Sequence, residues 1–369
     1  WPARADVHRK GEWLQAIVQD FSADQLGLAE TGKSSGWLRN SAGWMPHVTD
    51  SPDSALLART AIACLTAAAC CLTAGPPVIT WLKRRLTERI SSDSATLDAL
   101  HATKQGTPTM GGFLMVGALL AGFSLCSDAA GNQRLMAVVT TCMFALLGAA
   151  DDWIKATTKR KGLSVRQKLA GQVLLATTVS ACLIEQQSAA LSQNRWGEAI
   201  PAILWAAFVL IASCNAVNLT DGLDGLAAGS LGICAAALAV ILLQTTETIG
   251  AGQMMAVLST TAMSFLWFNH HPARIFMGDT GALAIGALLG LLALQSGREW
   301  LLCAAGAVFA VETLSVVAQV VWFRCTRRRL LLCSPLHNHY VFRKIPEPSI
   351  VRAFWAAGLL AATATMLLA

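Results

Sequence analysis

Charge is what this sequence has least of. Asp, Glu, Lys and Arg make up 14% of the 369 residues, where a soluble domain carries about a quarter. So few charges cannot clothe a chain of this size in water. The 54% of hydrophobic residues and a mean hydropathy of +0.51 place it instead in the membrane class. Tyrosine is nearly missing: one stands against 12 Trp and 12 Phe, so an aromatic belt at the membrane interface would rest on Trp. Eleven cysteines are present without CxxC or Cys/His finger spacing, and most sit inside apolar runs. They read as small buried hydrophobes and imply no disulfide framework. Residues 1–52 contain no apolar core of a signal peptide, and Trp1 in place of Met marks the start as trimmed or incomplete. Trp13, Trp37 and Trp44 suit that segment to a membrane surface, and it carries no assignable function.

Ten apolar stretches are present, at about 54–81, 109–126, 135–151, 169–186, 198–214, 223–245, 251–268, 280–296, 300–323 and 351–368. Each approaches the roughly 20 residues a helix needs to cross a bilayer. They are too long and continuous for barrel strands. The expected fold is therefore an all-α polytopic membrane protein, with a polar segment over 1–52 and a membrane domain over 53–369. The loops alternate in charge: the odd-numbered connections (82–108, 152–168, 215–222, 269–279 and 324–350, with Arg352) hold nineteen Lys and Arg on one edge, and the opposite loops hold Arg134, Arg195 and Arg298. Basic loops stay in the cytosol, which puts both termini outside. The net charge of +6 thus orients the chain and can help hold anionic substrates, and no nucleic-acid patch is indicated.

The unusual polar motifs all fall on the basic edge. Asp151 and Asp152 end the third stretch, at a cost unless they meet a cation, a proton or water. Two readings stand side by side: one holds Mg²⁺ while the other acts on a substrate, or both are solvated helix-end residues. Adjacent helical positions diverge by about 100°, so one ideal helix face does not let both chelate one ion. Asn215 to Gly229 offers Asn218, Asp221, Asp224 and several glycines, a set of acceptors and donors suited to a base or ribose. EF-hand spacing is absent there. Asp279 opens the eighth stretch, as a helix cap or an Mg²⁺ ligand. Phe276 just before it is an exposed aromatic fit to stack on a base, and His270 and His271 read as loop residues. Lys104 to Gly112 is not a Walker A loop, yet it can present Lys104 and backbone amides to an anion. His337, behind the basic run Arg327–Arg329, suits acid–base or phosphate contacts. The run itself suits anionic lipid headgroups, and Glu312 and Gln319 read as structural hydrogen-bond partners within a membrane helix.

Taken in order, Gly106-Thr107-Pro108-Thr109-Met110-Gly111-Gly112, Asp151-Asp152, Asn215 to Gly229, Phe276-Met277-Gly278-Asp279-Thr280-Gly281 and Pro335-Leu336-His337 are recognisable. From about residue 54 to its end the chain resembles the phospho-N-acetylmuramoyl-pentapeptide transferases, within the wider polyprenyl-phosphate N-acetylhexosamine-1-phosphate transferases. The resemblance implies transfer of phospho-MurNAc-pentapeptide from UDP-MurNAc-pentapeptide to undecaprenyl phosphate with Mg²⁺, at the cytoplasmic face of a bacterial inner membrane. It implies Asp279 and Asp151 as metal ligands, and Asp151, Asp152 and His337 as catalytic residues. It further implies Lys104, Thr109, Asn218, Asp221, Asp224 and Phe276 around uridine and phosphate, and a homodimer by analogy.

Two positions depart from the family. It runs three histidines after Pro-Leu, then an aromatic residue and Glu; here Asn338 holds the middle place and Val341 stands where Glu is expected. His337 remains, and activity is expected to remain with it. The nearest rival is a sister enzyme carrying GlcNAc-1-phosphate to the same lipid. A transporter would gather its charges near the midplane and show repeats, and this sequence does neither. An inactive scaffold is opposed by the intact Asp151, Asp152, Asp279 and His337.

Overall fold

Long apolar runs with no water to bond their backbones fold as helices, and the protein follows this rule throughout. A computed structural model describes residues 54–85, 106–126, 128–158, 162–189 and 191–369. The expectations placed on Lys104 and on residues 1–52 lie outside those residues. Among the described residues all regular structure is helical: α1 Ser54–Arg85, α2 Gly112–Phe123, α3 Gly131–Thr157, α4 Val165–Ser188, α5 Trp196–Thr220, α6 Leu226–Leu242, α7 Ile249–Asn269, α8 Gly278–Gln295, α9 Glu299–Ala305, α10 Ala307–Thr326, α11 Leu336–Phe342 and α12 Glu347–Leu368. Eight of these are long and apolar enough to cross a membrane, and α2 and α6 are shorter apolar helices.

The layout departs from the expected stretches in two ways. The stretch at 300–323 is two helices, α9 and α10, parted at Gly306. The second difference matters more for chemistry. α3 runs on to Thr157, beyond the expected end at Asp151 and Asp152, and α5 runs on to Thr220, so Asn215 and Asn218 are helical and not loop residues. An apolar-run criterion stops at the first charges. Here those charges find partners, so the helix continues through them.

The helix α8 is the hub. Its residues from Asp279 to Leu294 are buried, and it packs chiefly against α3 and α5. Small residues set how closely its neighbours approach. A Cβ at Gly148 of α3 would collide with the carbonyl of Asp279, and one at Gly112 of α2 would collide with the backbone nitrogen of Gly281. Backbone therefore touches backbone at the first turn of α8. The link is tightened by the loop before α2, since Gly111 N–H donates to the Phe276 carbonyl (2.9 Å), Gly112 N–H to Met277 (2.9 Å), and Phe276 N–H to Pro108 (2.9 Å). A second layer of α6 against α7 and α12, and of α1 against α2 and α7, surrounds this centre.

Candidate active site

Gly148 brings α3 against α8, and Asp151 and Asp152 lie three and four residues further on. Those are the spacings that share a helix face, so both side chains are carried to the opening of α8. Their carboxylates diverge in what they hold. Asp152 accepts from the Asp279 N–H (3.1 Å), the Thr280 N–H (2.9 Å) and the Thr280 hydroxyl (2.7 Å), capping α8 from a neighbouring helix. Asp151 pairs with Lys155 Nζ (2.7 Å) one turn later and accepts from the Leu163 N–H (2.6 Å), where the chain turns back over it. One oxygen each from Asp151, Asp152 and Asp279 nevertheless falls within a 4.8 Å cluster, and all three residues are buried. On an ideal helix the two adjacent side chains would diverge by about 100°. The third carboxylate comes from another helix, and the flexible Cβ–Cγ arms close the remaining angle.

Two lysines complete the cluster. Lys155 Nζ also reaches Asp279 Oδ2 (2.8 Å), and Lys168 Nζ from the first turn of α4 reaches the same oxygen (2.7 Å). Asn218 of α5 donates its amide to Asp279 Oδ1 and lies 3.4 Å from Lys168 Nζ through its own carbonyl. α4 is held in place to do this by a capping box between Ser164 and Gln167. Sequence reasoning counted Lys155 and Lys168 among the charges that orient the chain and help hold anionic substrates, and gave neither a place in the cluster. The signal that could have found Lys155 is its i+4 spacing from Asp151; Lys168 had no such signal.

The donor set is all oxygen, which suits a hard cation such as Mg²⁺ and not a soft metal. Three carboxylates against two ammoniums leave one formal negative charge, room for a divalent ion that then meets phosphate. One orphaned atom supports the fit. Thr109 is buried with its hydroxyl unpartnered, and a Cβ at Gly278 would stand 2.8 Å from that oxygen and 2.5 Å from Asp152 Oδ2. A buried hydroxyl without a partner is costly unless a ligand supplies one.

The other expected residues make contacts of their own, in four separate places. Asp221 caps the end of α5, one turn after Asn218. Phe276 is half-buried, in the backbone ladder with Pro108 and Gly111. Asp224 is buried in a different set of contacts: its Oδ2 meets His271 Nδ1 (3.2 Å) and the Ala273 N–H (3.0 Å), and its own N–H donates to Glu347 Oε1 (2.6 Å). His271 is therefore tied to Asp224, which its reading as a plain loop residue did not foresee. Buried His337 meets the carboxylate of Glu312, and its Nε2 lies where a Cβ on Gly222 would be.

Eight long apolar helices, with a buried carboxylate–ammonium cluster among them, mark a multi-pass membrane protein. Residues 134–297 match the model of Glycosyl transferase family 4. Relatives named phospho-N-acetylmuramoyl-pentapeptide-transferase extend the likeness beyond that segment. One from Moorella thermoacetica is 40% identical over 314 residues, covering 82% of this chain and 96% of its own. One from Thermodesulfovibrio yellowstonii is 35% identical over 335 residues, covering 84% and 92%, and one from Granulibacter bethesdensis is 36% identical over 335, covering 83% and 91%. The chain belongs to the phospho-N-acetylmuramoyl-pentapeptide transferase family.

Proposed function

We propose that the protein transfers phospho-MurNAc-pentapeptide from UDP-MurNAc-pentapeptide to undecaprenyl phosphate in peptidoglycan synthesis. An oxygen of the lipid phosphate bonds to the phosphorus that carries the sugar. The bond from that phosphorus to the bridging oxygen breaks, and UMP leaves with the oxygen and its electron pair. The observation that carries this reading is the Asp151–Asp152–Asp279 cluster with Lys155 and Lys168, in a chain whose relatives bear that name. Phosphoryl transfer asks chiefly for positioning and charge neutralisation, which such a cluster supplies.

Asp279 and Asp151 would hold Mg²⁺, which supplies positive charge to the diphosphate when bound. One of Asp151 and Asp152 would take the proton of the lipid phosphate. Of the two, Asp152 already spends both oxygens on the first turn of α8. Lys155 and Lys168 would release carboxylate contacts to phosphate oxygens as substrate arrives. Lys104, Thr109, Asn218, Asp221, Asp224 and Phe276 would surround uridine and phosphate, and His337 would assist at the diphosphate. The unpartnered hydroxyl of Thr109 favours such a role for that residue. The loop charges favour ten spans with both termini outside and the site in the cytosol of a bacterial inner membrane. Pairing with a second copy follows by family analogy alone.

The test is UMP release by detergent-purified protein with undecaprenyl phosphate and Mg²⁺, offered UDP-MurNAc-pentapeptide or UDP-GlcNAc. Release with the muramoyl substrate only, abolished by EDTA and restored by Mg²⁺, is expected. Release with UDP-GlcNAc only moves the protein to the sister branch, and release unaffected by EDTA overturns the metal assignment.

A further inference from the structure

Glu312 lies in α10, a helix whose other faces are largely exposed, yet it is itself completely buried. A carboxylate at membrane depth is costly without partners. Among the described residues both of its side-chain partners belong to His337. The His337 backbone N–H donates to Oε1 (3.1 Å), and His337 Nδ1 stands 3.2 Å from Oε2. Two contacts to one residue, at backbone and at ring, fix both where α11 begins and which way the imidazole points. The opposite ring atom, Nε2, then packs on Gly222, so closely that a Cβ at that position would overlap it. Gly222 follows Asp221, in the segment between Asn218 and Asp224.

We infer that Glu312 is a positioning residue, holding the hydrogen of His337 at Nδ1 so that Nε2 faces the Asp221–Gly222 turn. The inference deepens the proposed reaction, in which His337 assists at the diphosphate. A carboxylate accepting from the His337 N–H is also the natural acceptor for a ring N–H, which assigns the tautomer from partner chemistry. In the neutral ring Nε2 is then the lone pair. In the imidazolium Nε2–H is a donor aimed at the turn. An anchor of α11 alone would need only the backbone contact, and the ring contact is what a purely structural role leaves without purpose. Gly222 is the complementary half, since any side chain there would displace the ring.

The experiment reads the ring directly. Protein labelled with ¹⁵N-histidine is examined by NMR, with His337→Gln identifying the signal among the seven histidines. Nδ1 carrying hydrogen in the wild type, and losing it in Glu312→Leu, is expected. Nδ1 without hydrogen in the wild type overturns the inference, as does an Nδ1 hydrogen unchanged in Glu312→Leu. Glu312→Gln, which keeps a hydrogen-bonding amide, serves if Glu312→Leu does not fold, with partial loss of the Nδ1 hydrogen expected. This readout needs no substrate, so it stands even if the wild type releases no UMP and the proposed reaction itself fails. Kinetics gives the second arm. Glu312→Gln lowers kcat by roughly 10- to 100-fold, the range of partners that orient a reacting group, while KM for the nucleotide substrate moves less than about twofold. In a His337→Ala background Glu312→Gln adds nothing, and an equal further loss there assigns Glu312 to scaffolding and overturns the inference.

Discussion

The helices α8 and α10 each carry a buried carboxylate, and their surroundings are opposite. In α8, 89% of the spanning window is buried; in α10 it is 17%. Asp279 is met by side chains from α3, α4 and α5. Glu312 is met by one residue on a short neighbouring helix, while Val311, Leu314, Val317 and Val321 of the same helix are exposed. A hub helix spreads the support of its charge over many neighbours, so its site is rigid and intolerant of change. A peripheral helix concentrates that support in one partner, so its carboxylate can be altered without disturbing the bundle. The contrast also separates two sorts of consequence, global for α8 and local for α10.

The comparison breaks most visibly at Asp279. Asp279→Asn is expected to lower UMP release by at least about 100-fold, on the scale of removing one preorganised electrostatic contact. Activity within a few fold of wild type would remove Asp279 from the centre. Next comes packing. Gly148→Val places a branched side chain where the α8 backbone passes, and thermal unfolding in detergent is expected to report about 1–3 kcal/mol of destabilisation, the usual cost of overpacking. An unchanged midpoint would mean that α3 and α8 are not in backbone contact. A subtler change is Thr109→Val, which keeps shape and deletes the unpartnered hydroxyl. KM for the nucleotide substrate should rise about tenfold, the worth of one hydrogen bond, at an unfolding midpoint no lower than that of the wild type. The smallest effect belongs to the rim: Val317→Ala on α10 should stay within about 0.5 kcal/mol in the same unfolding assay, as surface substitutions do. A larger loss there would show α10 buried against something further.

How much of this was readable beforehand differs by residue. Asp151, Asp152 and Asp279 stand out because charge at the edge of an apolar run is expensive and therefore conspicuous. Lys155 and Lys168 hid among the orienting cations of the same edge, since a loop lysine and a site lysine look alike in one dimension. Asn215 and Asn218 were placed one structural step too late, in a loop, because the apolar run ends before the helix does. His271 gave no hint of Asp224, 47 residues earlier in the chain. Glu312 was visible as a buried charge, but its partner lies 25 residues on, beyond a basic loop.

Reading along the chain alone leads to a helical membrane protein, to its basic edge and to the residue types on that edge. Those follow from local quantities, the length of apolar runs, the scarcity of charge and the order of short motifs. It took the folded chain to bring the carboxylates of Asp151 and Asp152 to Asp279, to set two lysines against them and to turn Glu312 toward His337. Those contacts depend on how closely helices distant in sequence approach, at Gly148 and Gly112 above all. That approach is set by packing in three dimensions, which no run of neighbouring residues encodes alone.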